Sequence, residues 1–269
     1  MTAFISHLTY DFRTGLRDRS LMLMNYLFPL FFYAMMGALM TGINPAFKET
    51  LIPAMIVVGI MTNALLGMPG PAVSAREAGI YRSFKINGIP ALSILSIPVI
   101  SSLLHVAIVS AIITVTAAPL FGGVLPTQWG YFALIVFLAT FAMAGGGMLI
   151  GTIANGARSV VLVGQIIFLP SMMLSGLMFP TSMLPPTLYR IAMLLPATHA
   201  MNAWNALAFG RAAAFNPTAS LVALLAGGLL SFGLAAYLFK WDSQNATRRI
   251  SIFIALLALL PYALCAILF

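Results

Sequence analysis

The chain has 269 residues, of which 61% are hydrophobic and only 7% are charged. Soluble domains carry about 25% charged residues, so this chain has too little polar surface to cover a water-soluble globule, and we predict an all-α integral membrane protein. The net charge of +8 does not indicate nucleic-acid binding, because the basic residues lie between apolar blocks and form no compact patch. The single cysteine, Cys265, excludes an internal disulfide and a cysteine-based metal cluster.

Residues 1–19 are predicted to form a separate helix. Ile5, Leu8 and Phe12 recur at spacings of three and four, whereas Asp11 lies on another face. Such a pattern is typical of an amphipathic helix in the inner membrane interface. The alternative is a frayed basic tail.

Seven apolar blocks follow, each close to the roughly 20 residues that cross about 30 Å of hydrocarbon. They are Leu21–Met40, Thr50–Pro71, Leu92–Leu120, Trp129–Ile153, Val160–Met178, Ser220–Phe239 and Ile250–Phe269. If all seven span, only Lys48, Arg190 and Arg211 of the 13 Lys and Arg residues fall on one side. The positive-inside rule then places the richer side, with the N-terminus, in the cytoplasm. Trp129 and Trp204 fall at outer boundaries and are predicted to be interfacial anchors.

The segment 74–90, between the second and third blocks, is the most charged part of the chain. Its length allows a helix of two to three turns, with a charged face and an aromatic face that could dock into a groove on a soluble partner. The alternative is a solvated loop whose charges only set the topology. The residues concerned are Arg76, Glu77, Gly79, Tyr81, Arg82, Phe84 and Lys85.

Polar residues are sparse inside the blocks. No Asp or Glu lies at predicted membrane depth, which argues against an ion-coupled secondary transporter. Asn63 and Gln165 are candidates for lining a transport path. His105 could relay protons, but a lone histidine in a helix is more often hydrogen-bonded to a neighbouring helix.

Between Gln165 and Gly210 an apolar stretch is interrupted by prolines. Irregular backbone at membrane depth is tolerated only where protein or a water-filled cavity surrounds it. We therefore predict a half-buried hairpin of short helices that lines or closes a path. Its candidate residues are Gly176, Phe179, Pro180, Pro185 and Pro196.

Motifs of catalysis are missing from the sequence. HExxH, GxSxG and the phosphate-binding GxxxxGK[ST] loop do not occur, and no metal site is predicted. The chain is not expected to be an enzyme by itself or to bind ATP through a P-loop of its own. If it transports a substrate, the energy enters through another subunit.

Two segments match a known family in order and spacing. The first carries Arg76-Glu77-Ala78-Gly79, Arg82 and Ile89-Pro90, and the second carries Ser175-Gly176, Phe179-Pro180, Leu184-Pro185 and Leu195-Pro196 before closing at Gly210. On these residues the chain resembles the membrane-spanning permease subunit of type-2 ABC exporters.

The resemblance covers residues 1–245 and implies a permease domain with three special parts. Residues 1–19 would be an interfacial connecting helix, 74–90 a coupling helix moved by a separate ATPase, and 179–210 an outer re-entrant helix pair. The resemblance also implies two permease subunits, identical or different, with two P-loop ATPase subunits that hold ATP and Mg. It further implies a bacterial cytoplasmic membrane. Independently of the resemblance, the 17 methionines and the uncharged spans suit an apolar or amphipathic substrate, because methionine adapts to varied shapes; core packing explains the methionines equally well.

One segment departs from the family pattern. Members usually end after six spans with a basic tail, whereas residues 246–269 add a stretch long enough for a seventh span, whose Pro261 is compatible with a kink. The alternative to an export permease is a membrane protein without transport, such as an assembly or immunity factor that binds a lipid or a protein partner.

Overall fold

A computed structural model of the chain describes residues 2–242 and 250–269. Within these ranges the regular secondary structure is entirely helical. The principal helices are α1 (Thr2–Arg17), α2 (Arg19–Ile43), α3 (Phe47–Glu77), α4 (Ile80–Ile86), α5 (Ala91–Phe121), α6 (Trp129–Ile153), α7 (Ala157–Leu174), α8 (Pro186–Ala192), α9 (Pro196–Ala203), α10 (Pro217–Leu238), α11 (Ile250–Ala255) and α12 (Leu260–Leu268).

Six of these helices are long and apolar enough to cross a membrane, namely α2, α3, α5, α6, α7 and α10. They coincide with the first six predicted blocks, and the fourth block agrees at both ends, Trp129 and Ile153. The predicted all-α membrane fold is therefore confirmed. Its helix α1 confirms a helix within residues 1–19, while the interfacial position of that helix stays a prediction.

Helix α6 packs against both α3 and α10 and approaches the backbone of each through glycines. A Cβ atom added to Gly147 of α6 would lie 2.0 Å from the Ala64 carbonyl oxygen of α3. One added to Gly145 would lie 3.0 Å from the Gly228 carbonyl oxygen of α10. Small residues allow helix backbones to pack this closely in membranes. By contrast, α2 and α7 lie towards the periphery, and only 22% of the residues in the most apolar stretch of each are buried.

Helices α2 and α3 each contain one π-helical turn, at Leu23–Leu27 and Thr62–Gly67. A proline follows two residues later in both cases, Pro29 and Pro69. Proline cannot donate to the carbonyl four residues earlier, and in the widened turn before Pro69 the Met68 N–H donates to the Asn63 carbonyl five residues back at 2.9 Å. The two widened turns lie side by side.

Trp204 corrects one expectation from the sequence. It was predicted to be an interfacial anchor, but its side chain is fully buried and its indole N–H donates to the Phe132 carbonyl at 3.3 Å. The prediction was wrong because the hairpin folds inward and takes the tryptophan with it. Trp129, by contrast, is 55% exposed.

The C-terminal helices α11 and α12 pack beside α10. Tyr262 packs against Gly227 of α10, and the ring of Phe269 lies 6.0 Å from that of Phe215 near the start of α10. The segment thus runs antiparallel to α10. Its described apolar helix, Phe253–Leu268, is shorter than the six long ones, and a seventh crossing stays a prediction. The predicted domain boundary between residues 245 and 246 lies outside the described residues.

Candidate functional site

Helix α4 connects α3 to α5 and lies within the charged segment 74–90. The chain reverses at Gly79, which ends α3 in the left-handed region with φ of 73°, a conformation that glycine adopts without steric cost. The seven residues of α4 make about two turns, within the two to three predicted for 74–90.

The solvent-facing side of this region carries three charged side chains. Glu77 at the end of α3, and Arg82 and Lys85 on α4, are all exposed. Phe84 is half-buried, and its ring lies 5.5 Å from that of His7, so that α4 rests on α1. Of the seven predicted coupling residues the structure thus exposes these three charged side chains, whereas Arg76 and Tyr81 are buried.

The underside of α4 is attached to the end of α10. Tyr81 is buried and its ring lies 5.4 Å from that of Phe239. Burial raises the pKa of Tyr81 to about 12, so its hydroxyl stays neutral. Arg82 pairs with Asp242, and the Lys85 ammonium lies 5.9 Å from the centre of the Trp241 ring. A displacement of α4 would therefore act on α10.

Arg76 lies apart from the exposed coupling residues. Its side chain is buried and its guanidinium donates to the carbonyls of Gly151 at 3.1 Å, Thr152 at 2.7 Å and Ala154. These carbonyls belong to the C-terminal end of α6, where they lack partners within the helix. Arg76 thus joins the ends of α3 and α6.

Asn63, predicted to line a path, belongs to a buried hydrogen-bonded group. Its amide donates to the Asn25 side-chain oxygen at 2.9 Å and accepts from the hydroxyl of Ser102. These contacts join α3 to α2 and α5. Gln165 of α7 is half-buried and takes no part in this group, so the structure separates the two predicted path residues. Asn63 was predicted from the sequence to be functional, whereas Asn25 was not. The only indication for Asn25 was a polar amide side chain within an apolar stretch.

The contacts of His105 favour the simpler of its two interpretations, a hydrogen bond to a neighbouring helix. Its Nδ1 atom lies 2.6 Å from the hydroxyl of Tyr26 on α2. Phe12 of α1 stacks on the other side, with 4.5 Å between the ring centres.

The proline-rich segment folds into the predicted pair of short helices, α8 and α9. Gly176 follows the end of α7 with φ of 81°. Pro185 immediately precedes α8, and Pro196 is the first residue of α9. Proline is favoured at the start of a helix, since its fixed φ suits the helix and the first N–H groups have no intrahelical acceptor. Helix α9 is buried along its length.

A cavity of about 330 Å³ lies beside this hairpin. Gly176, Phe179 and Pro180 contribute to its lining, whereas Pro185 and Pro196 do not. Asn202 of α9 also lines it, and its side chain bonds to Ala214 N–H at 2.8 Å and to the hydroxyl of Ser220 at 3.0 Å. The sequence analysis missed this residue, which fixes the loop before α10.

These features define a multi-pass helical membrane protein, with a short charged helix at one end and a folded-in hairpin at the other. A family model described as ABC-2 type transporter matches residues 2–209, which is most of the chain. The protein belongs to this family and is a transmembrane permease subunit of an ABC transporter. It is a transport subunit without catalytic activity of its own. No curated protein and no solved structure matches the chain.

Proposed function

We propose that this chain is the permease subunit of an ATP-driven exporter in a bacterial cytoplasmic membrane. It moves an apolar or amphipathic substrate out of the cytoplasm or the inner leaflet, and its N-terminus lies in the cytoplasm. Two separate P-loop ATPase subunits bind ATP and Mg and supply the energy. A second permease subunit, identical or different, completes the path.

The main support for this proposal is the placement of α4. Glu77, Arg82 and Lys85 are exposed and offer charge to a soluble partner. Arg82 and Lys85 also contact Asp242 and Trp241 beyond α10. The other side of α4 contacts α1 through Phe84 and the end of α10 through Tyr81. A partner that pushes on α4 would therefore displace two further parts of the bundle.

The hairpin supports an exit at the opposite end. The cavity beside it is lined by Asn44 and Phe47 at the start of α3, whereas α4 follows the end of α3 at Glu77. The 31 residues of α3 span about 46 Å at 1.5 Å per residue. We infer that α4 faces the cytoplasm and that the hairpin shapes the outer end of the path.

The exposed side of α7 is one of the apolar surfaces open to lipid or to the second permease subunit. Leu162, Ile166, Leu169 and Met173 form an apolar row on this helix, and each is more than half exposed. Gln165 lies next to the row and would border a path formed between two subunits.

The test is whether α4 couples the chain to an ATPase. The tagged chain is purified from its native membranes, the P-loop ATPase that accompanies it is identified by mass spectrometry, and vanadate-sensitive ATP hydrolysis is measured in vesicles. We expect Glu77→Ala and Arg82→Ala to lower substrate-stimulated hydrolysis and transport several-fold without lowering the amount of inserted protein. Arg19→Ala, which removes an exposed arginine at the start of α2, is the matched control and should leave both rates unchanged. Full activity in both α4 variants, or purification without any ATPase, would contradict the proposal.

A further inference from the structure

A second cavity, of about 320 Å³, lies beneath α1 and is bounded by α2, α3 and α5. Pockets of roughly this volume hold small organic ligands. The cavity lies on the α4 side of the bundle, since Ile80 and Phe84 belong to its lining. Its exposed rim includes Tyr10 of α1 and Ile80 of α4, which are 70% and 44% exposed.

The floor of this cavity is polar and built from the two widened turns. Asn25 and Asn63 lie in these π-helical turns and are hydrogen-bonded to each other, and single π turns occur frequently at functional sites. Ser102 and His105 of α5 complete the floor. His105 is 3% exposed, and its Nε2 atom lies against Gly15 of α1 and has no hydrogen-bond partner among the described residues. Buried polar atoms without partners are uncommon and call for an explanation.

The walls are apolar and aromatic. Leu21, Met68 and Ile94 supply aliphatic surface, and Tyr10 and Phe84 supply aromatic rings. A ligand that fills this space needs an apolar body, with polar atoms only where it meets the floor.

The charge of the lining is unusual for so basic a chain. None of the described Lys or Arg side chains lines the cavity, and its only carboxyl group is that of Asp11 on α1. Burial raises the pKa of Asp11 above the ordinary 3.8, while Ser101 of α5 and His7 favour the ionised carboxylate and oppose the shift. A carboxylate beside aromatic faces attracts a cation.

We propose that this cavity binds an organic cation with an apolar body, whose positive group lies against Asp11 and whose apolar part lies between the walls. A phospholipid headgroup fits less well, because its phosphate would face Asp11 with no basic side chain to receive it. The proposal concerns binding by this chain alone and does not depend on the export function or on an ATPase.

The test is a titration of the purified full-length chain in maltoside micelles with ethidium, a permanently charged aromatic cation, followed by fluorescence anisotropy. We expect Asp11→Asn to weaken binding about tenfold, the loss of one charge-assisted contact. The matched control is Asp18→Asn, which removes the same charge from an exposed position at the end of α1. Asn preserves its helix-capping role, and its binding constant should stay within about twofold of the wild type. Ala75→Phe, which places a large ring at a lining position, should abolish binding by filling the space.

Two further comparisons identify what the site recognises. The uncharged probe 1-N-phenylnaphthylamine should bind equally well to the wild type and to Asp11→Asn, because only the charge is removed. A short-chain phosphatidylethanolamine should fail to displace ethidium. Unchanged ethidium binding in Asp11→Asn, or equal weakening of the charged and uncharged probes, would overturn recognition of a cation at Asp11. Persistent binding in Ala75→Phe would show that ethidium binds outside this cavity. Displacement of ethidium by the lipid would show that the cavity recognises a phospholipid headgroup and not an organic cation.

Discussion

Replacing Arg76 with alanine should destabilise the protein far more than replacing Arg82, although the two lie six positions apart. The buried Arg76 guanidinium donates three hydrogen bonds to the end of α6. Each hydrogen bond from a charged group contributes about 1.5–3 kcal/mol. Water can hydrogen-bond to the freed carbonyls once the side chain is gone and offsets part of this contribution. We therefore expect the free energy of unfolding to fall by about 3 kcal/mol. The Arg82–Asp242 pair is exposed, and such pairs contribute about 0–1 kcal/mol.

The buried thiol of Cys265 provides the assay for this comparison, because a thiol-reactive fluorogenic dye reports its exposure during thermal unfolding in detergent. At about 2–4 °C per kcal/mol, Arg76→Ala should lower the midpoint by about 6–12 °C, and Arg82→Ala by at most about 4 °C. Equal shifts in the two variants would refute the argument that Arg76 stabilises the junction of α3 and α6.

Three further predictions concern packing and topology. Gly147→Ala should lower the unfolding midpoint by the equivalent of about 1–3 kcal/mol, since the new methyl group would meet the α3 backbone. The neighbouring Gly146→Ala, which has open space, should leave the midpoint unchanged or raise it slightly, and equal effects would contradict the close approach. A cysteine at the exposed Ser182, in a Cys265→Ser background, should react with an impermeant maleimide added outside intact cells, and labelling confined to inside-out vesicles would reverse the topology. A C-terminal tag should be reachable from outside, with the outer membrane permeabilised where there is one, because α12 ends beside Phe215; protection there would leave residues 250–269 as an inner-surface tail.

The long helices could be predicted from the sequence because apolar runs of sufficient length have few alternatives in a membrane. The starts of α8 and α9 were also predictable, since proline favours the first turn of a helix. The direction in which a single side chain points could not be predicted from the sequence. Arg76 and Arg82 look alike in the sequence, yet one turns into the end of α6 and the other pairs at the surface.

The π-helical turns show a second limit of prediction. A proline inside an apolar run signals a disturbed helix, but nothing local indicates that two such disturbances, before Pro29 and Pro69, lie side by side. The pairing of Asn25 with Asn63 arises from tertiary packing, as does the burial of Trp204 in the core. Both depend on which helices are neighbours, which hydrophobic patterning does not specify.

The glycine contacts at the centre of the bundle restrict how this protein can change shape. Where α6 meets α3 and α10 backbone to backbone, at Gly147 and Gly145, there is no intervening layer of side chains that could switch rotamers and let one helix slide past another. The three helices therefore form a stiff frame. Helix α7 is held against α3 in the same way, since a Cβ atom added to Gly164 would lie 2.8 Å from the Leu65 carbonyl oxygen. Tilting is therefore open chiefly to the peripheral helix α2, which has few buried residues to release. Variants selected for altered mobility should accordingly accumulate on α2 and spare the frame.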